Sequence, residues 1–215
     1  MTSDNHAERQ AGVIILSQLK MFNEAAVVFE TLIQPAFWKG FDLCIARFAK
    51  KNEWECQLNF SLNDYCWLAP KHWKVGAKKW KCWFETHTHQ GDGVNYNLAA
   101  ITGVGVKDAQ FGFCFEIQAS HFGGSKKLDA HINNLDPKYR TTLVNCLDFD
   151  DLSGGRFFLP VNVDLDQVIQ CWQEFGKFPE DHEVFASVRD ALEKLQEAVY
   201  TFDAMFLSSP EESNT

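Results

Sequence analysis

Four side chains in the stretch WFETHTHQGDG, residues 83–93, are of types that bind metal ions or move protons: Glu85, His87, His89 and Asp92. On a β-strand, residues two apart point to the same side, about 7 Å per step. Glu85, His87 and His89 would then share one face. Neutral imidazole and carboxylate suit zinc, iron or manganese. Three such ligands with one open position make a hydrolytic centre, with Asp92 as a fourth ligand or a base. That chemistry would be a metal-dependent hydrolase or nuclease, with a divalent metal as its only cofactor. The alternative is the solvent side of a strand whose other side, Trp80, Cys82 and Phe84, faces a core. An isolated H-x-H is common on ordinary strands, so the second expectation is preferred.

Known patterns agree with that preference. The H-x-H-x-D-H of metallo-β-lactamase-like hydrolases is not met, because Asp92 is displaced by one position and the last His is missing. A cupin needs Gly six residues before the first His, and position 81 is Lys. Two-histidine phosphoesterases need a pair of H-x-[ST] elements, which the chain lacks. A PD-(D/E)XK core would follow Asp92 with E-x-K, but Glu116-Ile117-Gln118 carries Gln in place of Lys. The pairs FGGSKK and LSGGR lack the phosphate-loop pattern, and no Ser sits in a G-x-S-x-G elbow.

The segment PKHWKVGAKKWKCW interleaves Lys with Trp73, Trp80 and Trp83. Such a mixture can hold single-stranded nucleic acid. It can equally protect a sheet edge from aggregation. The net charge of −9 disfavours nucleic acid and anionic lipid, and suits a partner with a basic surface. From Pro179 to Thr215 there are nine acids against only Arg189 and Lys194. Glu180, Asp181, Glu183, Asp190, Glu193 and Glu197, with Trp73 and Trp80, are therefore the expected contacts to a protein partner. Seven Cys without a C-x-x-C pair read as reduced thiols in a cytoplasmic protein. The polar start MTSDNHAERQ shows no signal peptide, and no apolar run has transmembrane length.

The elements that must position these residues follow from periodicity. Length favours a single domain over 1–215, with 1–7 and 208–215 frayed. Asn5 and Glu8 resemble a capping pair, and apolar residues at helical spacing run to Ile33. Pro35 ends that helix and opens a second one carrying Phe37, Phe41, Cys44 and Phe48. From Glu53 to Ser120 the period is two, in ECQLNFSL, YCWLAPKHW, KWKCWFETHTH, YNLAAITGVGV and FGFCFEIQAS. Five strands with short links predict an antiparallel meander. GGRFFLPVNV is expected at a sheet edge because of Pro160. DLDQVIQCWQEFG has an Asp cap and a Gly stop. Phe185, Val188, Leu192, Leu195, Val199, Phe202 and Phe206 predict a helix over about 180–207, some 40 Å long. Its seam packs within the fold or, as the alternative, joins two copies as a homodimer. The fold class expected is α+β, a central antiparallel sheet flanked by N-terminal and C-terminal helices.

The order FWKGFDLCIARFAKKNEW, CWLAPKHW, KCWFETH, AAITGVGV, RFFLPVNVD and QVIQCWQEF, then a long final helix, resembles the C-terminal region of phage and prophage proteins of the PD-(D/E)XK nuclease superfamily. The resemblance covers about residues 35–205 and lacks the catalytic core. It implies an accessory or recognition domain and carries over no catalytic residue. Together these features predict a non-catalytic, acidic protein-interaction module, such as a bacterial or phage inhibitor, immunity or anti-defence factor.

Overall fold

The computed structural model describes residues 4–89, 96–104 and 109–207. Helices α1 (Asp4–Ser17), α2 (Leu19–Val28) and α3 (Gln34–Lys51) open the chain, with a π-helical turn at Phe29–Ile33. The backbone of Asn5 already lies inside α1, whose first residue is Asp4. Pro35 does not break the path: it sits in the first turn of α3, where its missing N–H costs nothing. The break comes at Gln18, where the chain axis turns by 77°. No single helix among the described residues is long and apolar enough to cross a membrane.

The main sheet has six strands in the order β1-β2-β5-β6-β8-β7, all antiparallel. These are β1 (Trp54–Gln57), β2 (Trp67–Pro70), β5 (Cys82–His89), β6 (Gln110–Ile117), β7 (Asp150–Asp151) and β8 (Phe157–Val161). A separate hairpin, β3 (Lys74–Gly76) and β4 (Lys79–Trp80), stands between β2 and β5 in the chain. The α+β class is therefore as expected from the sequence.

Two local expectations change. ECQLNFSL ends as a strand at Gln57, and Phe60–Asn63 turns into a short helix, α4. Asp42 accepts the Asn59 and Phe60 backbone N–H groups there, at 3.0 and 3.1 Å. YNLAAITGVGV contains no strand among its described residues. Asn97–Ile101 forms helix α5, which buries Leu98, Ala100 and Ile101. The β8 strand is flanked on its outer side only by the two-residue β7, which pairs with Phe157 and Phe158. Strand β8 is thus next to the edge rather than at it, but Pro160 lies beyond the short β7 ladder and pairs only with Gly112 of β6.

One face of the sheet is apolar and covered. Phe111, Phe113 and Phe115 of β6 point into it beside Phe84 and Phe157, all at most 1% exposed. Over them lie α3 and α9 (Ala186–Phe206), with Trp38 of α3 5.5 Å from Phe111 and Phe202 of α9 stacked 3.8 Å from Phe115. The seam from Phe185 to Phe206 is buried here. Packing within the fold, the first of the two expectations, is what the chain adopts. The helix is shorter than expected, about 32 Å, since Glu183–Phe185 forms a 3-10 turn before it. Between β8 and α9, helix α8 (Leu165–Phe175) is capped by Asp164, which accepts the Asp166 and Gln167 N–H groups, and is stopped by left-handed Gly176. Helices α6 (Ser125–Asn133) and α7 (Pro137–Cys146) complete the chain between β6 and β7.

Candidate functional site

The opposite face of the sheet is where the sequence placed its chemistry. Along β5 the buried positions are Cys82, Phe84 and Thr86, so Trp83, Glu85 and His87 point the other way. Thr86 is a polar residue on the core side. Its hydroxyl accepts the Cys66 N–H at 2.9 Å and donates to the Cys66 carbonyl, which explains its burial. Trp80 does not share the Cys82/Phe84 face. It belongs to the β3–β4 hairpin and packs on Trp67, ring centroids 5.2 Å apart.

The Glu85/His87 pair meets a residue that the sequence reading placed elsewhere. The register sets Trp83 opposite Glu116 and His87 opposite Gly112. His87 Nε2 lies 3.6 Å from Glu85 Oε1 and 3.4 Å from Glu116 Oε1. Arg156, arriving after β7, donates to Glu116 through Nη2 at 2.5 Å and Nε at 3.1 Å. Burial pushes the Glu116 carboxyl up, but the facing His87 and Arg156 outweigh it and hold the group below its usual value. The result is a cluster in which Arg156 and Glu116 form an ion pair and His87 lies within 3.6 Å of two carboxylates. Among the described residues no group of three His, Cys, Asp or Glu side chains is placed to hold a metal ion. The side chain of His89, and Asp92 altogether, lie outside the described residues.

Beside this cluster the sheet face opens into a groove of about 970 Å³. Trp67 and Trp83 form its floor with Glu55, Gln57 and Glu85; the hairpin from Ala77 to Trp80 is one wall, and Gln118, Ser120 and His121 are the other. Tyr65 lines it as well. The rings are held in place. The Trp67 indole N–H donates to Gln57 Oε1 at 3.0 Å, and that of Trp83 to Glu85 Oε2 at 2.9 Å. Lys74 ties the hairpin to the sheet through both Glu55 oxygens, at 2.7 and 2.8 Å, and lies 5.4 Å from the Trp80 ring centre. Lys–Trp alternation is visible in the sequence, but the groove is not. Trp67 and Trp80 meet only because the hairpin folds back over β2.

The other expected contacts divide. Trp73 is 1% exposed, inside the core, and its indole bonds to Asp203, so it presents no ring to a partner. Glu180, Asp181 and Glu193 line a smaller depression of about 360 Å³ together with Arg47, Lys51 and Arg189. Glu183 lies 3.9 Å from Arg189. The acidic surface there is balanced by the chain's own cations. Asp190 and Glu197 are exposed on α9.

A second exposed feature is the N-terminal arm formed by α1 and α2. Val13, Ile14, Leu16, Met21 and Phe22 are each at least 58% exposed. No residue of α2 is buried. Apolar residues at 13–16 surround α1, so it has no polar face there on which to rest in water.

Compared with family models, curated proteins and solved structures, the chain matches none.

Proposed function

We propose that the chain is a non-catalytic protein-interaction module, of the inhibitor, immunity or anti-defence kind, that docks on a partner bearing a basic surface. The observation that carries this reading is the arm. Contiguous apolar surface exposed on this scale marks an association site. Burying five such side chains would return roughly 8–15 kcal/mol. Association costs about 4–15 kcal/mol in lost freedom, so the arm alone reaches the scale needed. The preference for a basic partner rests on the net charge of −9 and on the exposed Asp190 and Glu197. A recognition role also agrees with the resemblance to the C-terminal region of nuclease-superfamily phage proteins.

The test is light scattering of the purified chain against the triple variant Ile14→Glu, Leu16→Glu, Phe22→Glu. None of these three is buried, so the fold should survive. Without its partner the wild-type chain should associate through the arm, to a mass above 24.6 kDa, and the variant should be monomeric. A monomeric wild type, or one that floats with lipid vesicles, would remove the reading. If binding to an identified partner ignored salt and Asp190→Asn/Glu197→Gln, the electrostatic half would fall.

A further inference from the structure

We propose that the groove on the open sheet face binds a single arginine side chain of a protein partner, its guanidinium lying on the Trp67 and Trp83 rings and paired to Glu85. This deepens the interaction-module reading and rests on it.

The hairpin beside the groove already shows the kind of contact invoked. Lys74 is held by the Glu55 carboxylate and lies over the Trp80 ring, so a ring and a carboxylate together hold a cation. Trp83 and Glu85 form a second ring–carboxylate pair on the same floor, locked to each other by the indole hydrogen bond. That bond uses Glu85 Oε2. The other oxygen, Oε1, has His87 Nε2 at 3.6 Å, too long for a hydrogen bond, and so retains acceptor capacity. Both indole N–H groups are spent on Gln57 and Glu85. A ligand in the groove would therefore meet the rings through their π surfaces, which attract cations, at Trp67 on the part that Trp80 leaves uncovered.

The charges around the groove narrow the ligand further. Glu85 on the floor would repel a phosphate, whereas the Glu55 charge is already met by Lys74; the remaining carboxylate tells against a nucleic-acid strand. Lys78 and Lys79 on the hairpin wall would repel a tract of several cations. A lone arginine satisfies both limits. Its charge is delocalised and weakly hydrated, and its plane can stack on an indole while its edge meets a carboxylate. A lysine ammonium can sit over a ring and meet a carboxylate, as Lys74 does, but it has no plane to stack on the indole.

The experiment uses the full chain carrying fluorine-labelled tryptophan, with the seven indole resonances followed by NMR. The probe is a blocked glycine-serine peptide with one arginine, compared with the same peptide carrying neutral citrulline. Saturable shifts are expected at Trp67, Trp80 and Trp83, and not at buried Trp38 or Trp73. Citrulline should weaken binding about tenfold, as should Glu85→Gln, whose isosteric amide keeps the Trp83 contact. Trp83→Phe should weaken it less. Equal binding of the two peptides, the absence of any shift, or shifts at the same rings with a single-stranded oligonucleotide or an oligosaccharide but not with arginine would overturn the proposal. Failure here leaves arm-driven association measurable on the same sample, and Glu85→Gln should not alter the light-scattering mass.

Discussion

The indole N–H of Trp73 donates to Asp203 Oδ1 at 2.6 Å, joining the turn after β2 to the last helix, 130 residues further along. His72 Nε2 reaches the same carboxylate at 3.0 Å. Trp73 is buried among Phe84, Phe115 and Phe202, so its one polar atom needs this partner. Asp203→Ala should destabilise the chain by about 1–3 kcal/mol, the cost of an unsatisfied buried donor. Asp203→Asn keeps an acceptor oxygen and should cost less. Urea unfolding of the two variants checks the order, and equal losses would mean the carboxylate acts by something other than that bond.

The Glu116 cluster predicts an acid-dependent stability. Burial raises the Glu116 carboxyl, yet His87 and Arg156 bring it below its ordinary value of 4.5. A carboxyl depressed in the folded state stabilises the fold above the ordinary value, and that contribution is lost as pH falls through the folded one. Glu116→Gln should therefore be less stable than wild type at neutral pH, by about 1–2 kcal/mol. The gap should close below pH 4.5. Thermal melts of both proteins across that window measure it. A gap that stays constant with pH would assign the loss to packing.

The thiols give a third test. Burial pushes the Cys44 thiol up to about 11 and those of Cys82 and Cys114 up to about 12. Cys66 and Cys171 are raised for the same reason, as is half-buried Cys56. Since the thiolate is the reactive form, these six should resist modification in the native state. Cys146 is exposed. One maleimide should add quickly at neutral pH, at Cys146 by peptide mapping, and the remainder only on denaturation. Fast labelling of Cys114 would show that Arg156, whose Nη2 lies 3.4 Å from its sulfur, activates it after all.

The limits of the sequence show at particular residues. The Phe185–Phe206 seam and the Asp164 and Gly176 ends of α8 were legible because helical period and capping are local. YNLAAITGVGV misled because its β-branched residues read as strand, whereas Leu98, Ala100 and Ile101 bury one side of a short helix. The Glu85/His87 face was legible from alternation along β5. Its partners Glu116 and Arg156 were not, because they arrive through strand register and a loop from after β7. The groove depends on the hairpin folding across β2, again a non-local event. Trp73 and Trp80, seven residues apart, have opposite fates for the same reason: one bonds into the core through Asp203, and the other rests on Trp67.

Two glycines in the first helices should respond to alanine in opposite directions. Gly12 lies within α1, and a Cβ built there meets no atom within 4 Å. Gly12→Ala should stabilise α1 by up to about 1 kcal/mol through the lower backbone entropy of alanine in the unfolded chain. Gly40 lies within α3, where a Cβ would collide with the Phe178 carbonyl oxygen and come 2.8 Å from Phe185 Cε2. The first obstacle is backbone and the second is a ring already packed 5.3 Å from Phe37, so neither yields easily. Gly40→Ala should cost about 1–3 kcal/mol or more, as overpacking does. Because α3 and the start of α9 meet at Gly40, the loss should appear in global unfolding. The gain at Gly12 belongs to an arm that packs on no buried core, so it should appear in helical circular dichroism with little change in the global midpoint. A shift of the global midpoint by Gly12→Ala comparable to that of Gly40→Ala would mean that the arm unfolds together with the sheet.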